Sequence, residues 1–105
     1  KSNFRVESML EKREIIYIYR KHFRSVYVYK DGNETQSREP LHNLYNNLKD
    51  ENFVKIRKHI INIRCIRRVR KKEISLNNGI LLKLNKKNFD TVRWAIHRYY
   101  HDRLR

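Results

Sequence analysis

The chemistry that this sequence could perform is concentrated in the cations of one stretch. Nine of the eighteen residues from Lys55 to Lys72 are basic and none is acidic; the basic ones are Lys55, Arg57, Lys58, Arg64, Arg67, Arg68, Arg70, Lys71 and Lys72. Isoleucines are interleaved with them, so an extended chain would direct isoleucines to a core and cations to solvent. A strand face that is merely solvated usually carries acids too, and their absence favours a surface that neutralises phosphates. Arginines on the connecting loops could also reach base edges.

Residues that would indicate catalysis or metal binding are scattered. The carboxylates form no pair beside a histidine cluster, and no glycine-rich loop is present to hold a nucleotide phosphate. His97 and His101 have i, i+4 spacing, but a metal ion would need further ligands. Cys65, the single cysteine, lies among isoleucines and is predicted to be an inert core thiol. The sequence therefore predicts no enzyme, no metal site and no cofactor.

The charge of the whole chain indicates the same class of partner. The 105 residues include 26 Lys and Arg and 11 Asp and Glu, a formal net charge of +15. Residues 51–105 hold 16 basic and 4 acidic side chains, against 10 and 7 in residues 1–50. Such an excess repels itself in the folded state and is typical of proteins that bind a polyanion. No apolar run approaches 18 residues and no signal-peptide pattern occurs, so we expect no membrane span and a cytoplasmic protein.

The elements that position these cations are predicted to be mostly strands. A short first strand is expected at Phe4–Val6. Apolar residues on both faces of Ile15–Tyr19 and Ser25–Tyr29 predict strands that are sandwiched between layers. The Asp31-Gly32-Asn33 turn leads to a third strand near Glu34–Ser37.

The rest of the chain is predicted to contain two helices and further strands. A short helix follows Pro40, because four apolar residues have helical spacing: Leu41, Leu44, Tyr45 and Leu48. A hairpin at Asn77–Gly79 joins strands at 74–76 and 80–82. A terminal helix is expected from about Asn88 onward. Strands and helices do not alternate as in βαβ units, so we expect one mainly β domain over residues 1–105 with antiparallel sheets, one short helix and a C-terminal helix.

Several blocks in this order resemble the LytTR family of DNA-binding domains. Ile15–Tyr19 is similar to the family's D-I-x-Y-I-E strand, and Val26–Gly32 to its v-x-v-x-x-D-G strand and turn. Leu41–Leu48 resembles the s-L-x-x-L-x-x-x-L helix. Phe53–Asn62 resembles F-v-R-i-H-R-S-y-i-v-N but is one residue shorter. The remaining blocks match v-x-L-x-n-G and v-S-R-x-y; they are Ile74–Gly79 and Leu84–Phe89.

The resemblance, which covers roughly residues 4–90, implies an elongated stack of small antiparallel sheets that reads double-stranded DNA with loops. The family's contact loops fall here on basic segments, so the predicted DNA-binding residues are Lys21, His22, Arg24, Arg57, Lys58, His59, Asn85, Lys86 and Lys87. Arg24, Arg57 and Lys86 are the candidates for base-edge contacts, whereas Lys71 and Lys72 are expected in a turn nearer the opposite hairpin, where their substitution should cost little. Such domains usually follow a receiver domain. We therefore expect the C-terminal output part of a bacterial two-component response regulator, monomeric as a fragment and paired on DNA.

Departures from the family pattern concern sequence preference. Tyr19 stands where the family has Glu, and Arg57-Lys58-His59 replaces His-Arg-Ser. Lys86 stands where Arg is usual and so lacks the two-pronged guanidinium that suits guanine.

Two other functions fit the charge. An RNA-binding β-module would stack bases on exposed aromatic residues, whereas most tyrosines here lie in strands predicted to be buried. A module that binds anionic surfaces, such as lipid, could use the terminal helix with its arginines and Trp94.

Overall fold

The computed structural model describes residues 12–49 and 52–103, which form eight strands and two helices of more than one turn. The strand predicted at Phe4–Val6 lies outside the described residues. The strands are β1 (Ile15–Lys21), β2 (Arg24–Tyr29), β3 (Glu34–Ser37), β4 (Phe53–Ile56), β5 (His59–Asn62), β6 (Ile66–Arg70), β7 (Glu73–Leu76) and β8 (Leu81–Lys83). The helices are α1 (Leu41–Leu48) and α2 (Lys86–Arg103).

The first sheet has the order β3-β2-β1-β5-β4, and every neighbouring pair is antiparallel. The central strand β1 therefore runs opposite to both β2 and β5. Its C-terminal end lies beside the first residues of β2 and β5, and the ends of β3 and β4 complete that edge. The β1–β2 and β4–β5 turns consequently lie at one end of the sheet, which we call the turn end.

A β-bulge in β1 allows this strand to contribute to two cores. The register with β2 skips Ile16 between Ile15 and Tyr17. Ile16 and Tyr17 both pack toward the second sheet, whereas Ile15 and Ile18 pack with α1 on the opposite face. The prediction of strands covered on both faces is confirmed.

The second sheet has the order β6-β7-β8 and is also antiparallel, which confirms the predicted fold class. Its inner residues share one core cluster with the first sheet, and α2 closes this cluster with Val92, which is completely buried. Cys65 lies in the same cluster at 1% exposure, as predicted, and burial raises the pKa of its thiol. The molecule measures 43 × 38 × 24 Å.

Both predicted hairpin turns are present. In the β2–β3 turn Gly32 has φ +90°, and the Asp31 carboxylate accepts a hydrogen bond from the backbone N–H of Asn33 at 2.9 Å. In the β7–β8 turn Gly79 has φ +88°, and its N–H donates to the carbonyl of Leu76 at 2.9 Å. Both glycines occupy the left-handed region that other residues avoid.

Two boundaries differ from the prediction. Helix α2 begins at Lys86, two residues before the expected start, because the side-chain oxygen of Asn85 accepts the N–H of Asn88 at 2.8 Å and caps the helix. The last strand is Leu81–Lys83 where 80–82 was predicted. The apolar residues alone marked the helix start too late, since the first turn of α2 is polar.

The chain from 53 to 72 is interrupted at a corner that Asn62 holds. A 3₁₀ turn at Ile63–Cys65 separates the two sheets, and Asn62 precedes it with its side chain fully buried. The Asn62 amide donates to the carbonyl of Ile15 at 2.8 Å, and its oxygen accepts the backbone N–H of Arg64 at 3.0 Å. This one side chain thus connects the start of β1 to the crossing between the sheets.

We predict that Asn62→Ala lowers the free energy of unfolding by roughly 1–3 kcal/mol, because the Ile15 carbonyl and the Arg64 N–H lose their partner in the interior. Urea unfolding measures the change. Asn46→Ala, on the exposed side of α1, is the matched control and should shift stability by about 0.5 kcal/mol or less. Equal small effects at both positions would contradict the role assigned to Asn62.

Candidate nucleic-acid interface

Two of the three predicted DNA-binding segments meet at the turn end of the first sheet. Lys21 and Arg24 pair across the β1–β2 hairpin, which leaves a turn of only His22 and Phe23. Ile56 pairs with His59 across the β4–β5 hairpin, so that turn consists of Arg57 and Lys58.

The two turns are directly connected. The backbone N–H of Arg20 donates to the carbonyl of Lys58 at 3.1 Å, which continues the β1–β5 ladder into the β4–β5 turn. Lys21, His22, Arg24, Arg57 and Lys58 are all exposed. The structure therefore collects five of the nine predicted residues on one projecting edge.

His59, a sixth predicted residue, is more enclosed than the others. Its ring stacks on Tyr17 with centroids 6.0 Å apart, and Tyr17 stacks in turn on Tyr19 at 5.6 Å. Burial lowers the pKa of His59, and the adjacent charge of Lys58 lowers it further. The imidazole is consequently neutral near pH 7 and can offer a hydrogen bond, whereas a phosphate-neutralising charge would require protonation.

Arg20 connects the β1–β2 hairpin at the turn end to the segment that follows β3. Its guanidinium donates to the hydroxyl of Ser25 and to the carbonyl of Glu39, both at 2.9 Å. Ser25 is completely buried and donates its own proton to the Glu39 carbonyl at 2.7 Å. These bonds hold the segment after β3 against the β1–β2 hairpin.

This arrangement brings Arg38, which the sequence analysis missed, to the turn end. An open groove of about 720 Å³ lies beside the hairpin, and its lining includes Lys21, Arg24, Gln36 and Arg38 but no carboxylate. Arg38 has no local sequence signal of its own. Its place depends on the antiparallel pairing of β3 with β2.

The third predicted segment, Asn85–Lys87, lies on the second sheet at the start of α2. Asn85 caps the helix, so its side-chain oxygen is already engaged with the N–H of Asn88. Lys86 is 3.6 Å from the Asp90 carboxylate, in an exposed i, i+4 pair that contributes little to stability. The two lysines in the first turn are unfavourable at the positive, N-terminal end of the helix dipole. A bound phosphate would be favoured there.

Lys71 and Lys72 lie beside this segment, and this corrects the expectation that they sit nearer an opposite hairpin. The carbonyl of Lys72 accepts the N–H of Leu84 at 2.8 Å, which fixes the β6–β7 turn next to the start of α2. Lys71 has φ +45° and Lys72 φ +66°, a conformation that usually selects Asn-Gly. A second basic cluster therefore exists on the second sheet, formed by this turn together with Lys86 and Lys87.

Other candidate sites, for a metal ion or a membrane, have less support in the structure. The described residues contain no group of three or more metal-ligating side chains, and their helices include none long and apolar enough to cross a membrane. Trp94, His97 and His101 stack along the exposed side of α2, with ring centroids 5.7 and 6.1 Å apart. His97 and His101 are thus neighbours, as their spacing predicted, but within the described chain no third ligand joins them.

Comparison with known proteins agrees with this fold. The chain has the fold of the LytTr DNA-binding domain of a response regulator from Bacillus cereus, with a TM-score of 0.72, 14% identity, and coverage of 81% of this chain and 83% of that one. No curated protein matches the sequence. The family model of the LytTr DNA-binding domain matches residues 8–97. The chain belongs to the LytTR family of DNA-binding domains.

Proposed function

We propose that this domain binds double-stranded DNA in a sequence-specific manner and regulates transcription as the output domain of a two-component response regulator. The observation that carries the proposal is the meeting of two two-residue turns at one end of the sheet, one flanked by Lys21 and Arg24 and the other formed by Arg57 and Lys58. Membership of the LytTR family supports DNA as the partner. The structurally similar Bacillus cereus domain belongs to a response regulator, which supports the two-component context.

The burial of the tyrosines supports duplex DNA over single-stranded RNA. RNA-binding sheets present aromatic rings on an open face, where unstacked bases can lie against them. Here Tyr17 is buried between the sheets, and Tyr27 and Tyr29 are packed against the α1 core. The strongly exposed aromatics among the described residues are instead in a turn and on a helix: Phe23, Trp94 and Tyr100.

Each cluster is assigned one part of the binding. Arg24, the first residue of β2, and Arg57, in the β4–β5 turn, contact base edges in a groove. Lys21, His22 and Lys58 flank them as phosphate contacts. His59 supplies a hydrogen bond in its neutral form. The second cluster, which includes Asn85, Lys86 and Lys87, holds a phosphate at the start of α2. Lys86, which the resemblance suggested for base reading, is proposed here as a phosphate contact because it lies in the first turn of α2.

The domain is proposed to work in pairs and to follow a receiver domain in a longer chain. One small domain has few contacts to offer, so two copies held together by upstream domains gain affinity through effective concentration. No metal or cofactor takes part in this binding, and the proposal includes no catalytic step.

Salt dependence tests the electrostatic part of the proposal. If the two clusters contact roughly six to eight phosphates, the plot of log affinity against log salt concentration should have a slope of about −5 to −7. Fluorescence anisotropy with a labelled duplex at several salt concentrations measures this slope. A slope near zero would exclude counterion release as the source of affinity.

Alanine substitutions test the division between reading and anchoring. Arg57→Ala should cost about 1–3 kcal/mol on a duplex selected from a random pool and much less on random duplex, because base contacts discriminate. Lys72→Ala should weaken binding to both duplexes by a similar factor. Lys30→Ala is the charge-matched control and should change neither, since Lys30 is exposed in the β2–β3 turn, at the opposite end of the sheet.

Equal losses on both duplexes would reduce Arg57 to a phosphate anchor. An effect of Lys30→Ala as large as that of Arg57→Ala would place the interface elsewhere.

The oligomeric state of the domain is also predicted. Sedimentation without DNA should give a monomer, and sedimentation with a duplex that carries two copies of the selected site should give two domains per duplex. A stable dimer in the absence of DNA would contradict pairing through DNA and upstream domains.

A further inference from the structure

The β1–β2 turn exposes a phenylalanine that neither the core nor the proposed charge contacts explain. The side chain of Phe23 is 85% exposed, against 65% for Trp94, 58% for Leu81 and 54% for Tyr100, the other exposed large hydrophobic residues of the described chain. A ring so exposed buries almost no apolar surface and adds almost nothing to folding. Its place at the tip, between the proposed contact residues Lys21 and Arg24, puts it where a bound partner would meet it.

The surroundings of Phe23 define the chemistry of that partner. Its neighbours in the hairpin are Lys21, His22 and Arg24, and Arg38 lines the same carboxylate-free groove. The exposed cations Lys21, Arg24 and Arg38 disfavour an apolar protein surface as partner, because docking would desolvate them without compensation. They attract phosphates instead, which brings the ring against a nucleic acid.

The shape of the hairpin determines where on a duplex the ring would lie. The B-DNA major groove is about 12 Å wide and admits a two-stranded β-ribbon. The β1–β2 hairpin ends in only two residues, so its tip is as narrow as a ribbon allows. The flanking Lys21 and Arg24 lie one residue back on each strand, where Lys21 would meet a phosphate at the groove wall and the long side chain of Arg24 would reach a base edge beside the ring. Phe23 therefore enters the groove ahead of the cations.

The major-groove edges of the bases offer one apolar group, the C5-methyl of thymine. We propose that Phe23 is a specificity-determining residue that packs on a thymine methyl in the major groove. This inference rests on the proposed function and adds to it a base identity that charged side chains do not read. It also predicts that the selected site contains an invariant thymine beside the bases contacted by the β1–β2 turn.

Replacement of thymine by uracil tests the proposal, because uracil lacks only the methyl group. Each thymine of the selected duplex is replaced in turn, and affinities are measured for the wild-type domain and for Phe23→Ala. One replacement should weaken wild-type binding about three- to five-fold, the value of one buried methyl group. The same replacement should leave Phe23→Ala unaffected. Phe23→Leu, which keeps an apolar side chain, should retain part of the discrimination.

Leu81→Ala is the control for the loss of an exposed apolar side chain away from the turn end. It should preserve the thymine-to-uracil difference. Thermal unfolding of Phe23→Ala should match the wild type, since the ring is outside the core.

The outcomes separate this inference from the function on which it rests. A wild-type domain that prefers the selected duplex but is indifferent to every uracil replacement would overturn the role of Phe23 alone. A rise in 2-aminopurine fluorescence at the contacted step on binding would show base unstacking and identify Phe23 as a wedge, again overturning methyl recognition. Absence of any preference between selected and random duplex would overturn the proposed function as well.

Discussion

The antiparallel pairing of β1 with both β2 and β5 is the constraint on which the rest of this structure depends. The C-terminal end of β1 lies beside the first residues of both β2 and β5, and β5 is itself preceded by its hairpin partner β4. Two turns that are 35 residues apart in the chain (His22 and Arg57) thereby become neighbours, joined by the hydrogen bond from Arg20 to Lys58. The candidate interface is a consequence of strand order, and each turn contributes only two residues to it.

Several positions in the turn end and in the second basic cluster depart from local conformational or electrostatic preferences. His22, Lys71 and Lys72 have positive φ values, although none is a glycine. Lys86 and Lys87 occupy a helix N-terminus where acidic residues are favoured. Phe23 leaves its ring in water. The positive φ values and the lysines at the helix end cost folding free energy, whereas the exposed ring of Phe23 is neutral for folding. Such conflicts between local preference and structure concentrate at functional sites. A phosphate-bearing partner would relieve the electrostatic ones.

Much of the fold could be predicted because its signals are local. Both glycine turns and helix α1 follow from residues within one short window each. The corner at Ile63–Cys65 could not, since Asn62 holds it through a hydrogen bond to Ile15, 47 residues away. The periodicity of the isoleucines around it is compatible with continuous strand.

The candidate site also combines parts with local sequence signals and parts that depend on long-range pairing. The basic segments at 21–24 and 57–59 were found from charge and family resemblance, but their meeting required the pairing of β1 with β5. Arg38 and the Lys71–Lys72 turn were missed or misplaced, because their positions depend on β3–β2 pairing and on the bond between Lys72 and Leu84. Neither contact has a signature in the residues themselves.

The most direct test of the central claim is a titration of the ¹⁵N-labelled domain with its selected duplex, followed by amide chemical shifts. The account predicts that the largest changes occur at residues 21–24 and 57–59, with a second group at 71–72 and 85–87. It also predicts small changes at the β2–β3 turn around Lys30 and on the exposed side of α1. Maximal changes on α1, or along the outer face of α2, would contradict the assignment of the turn end as the DNA-binding surface.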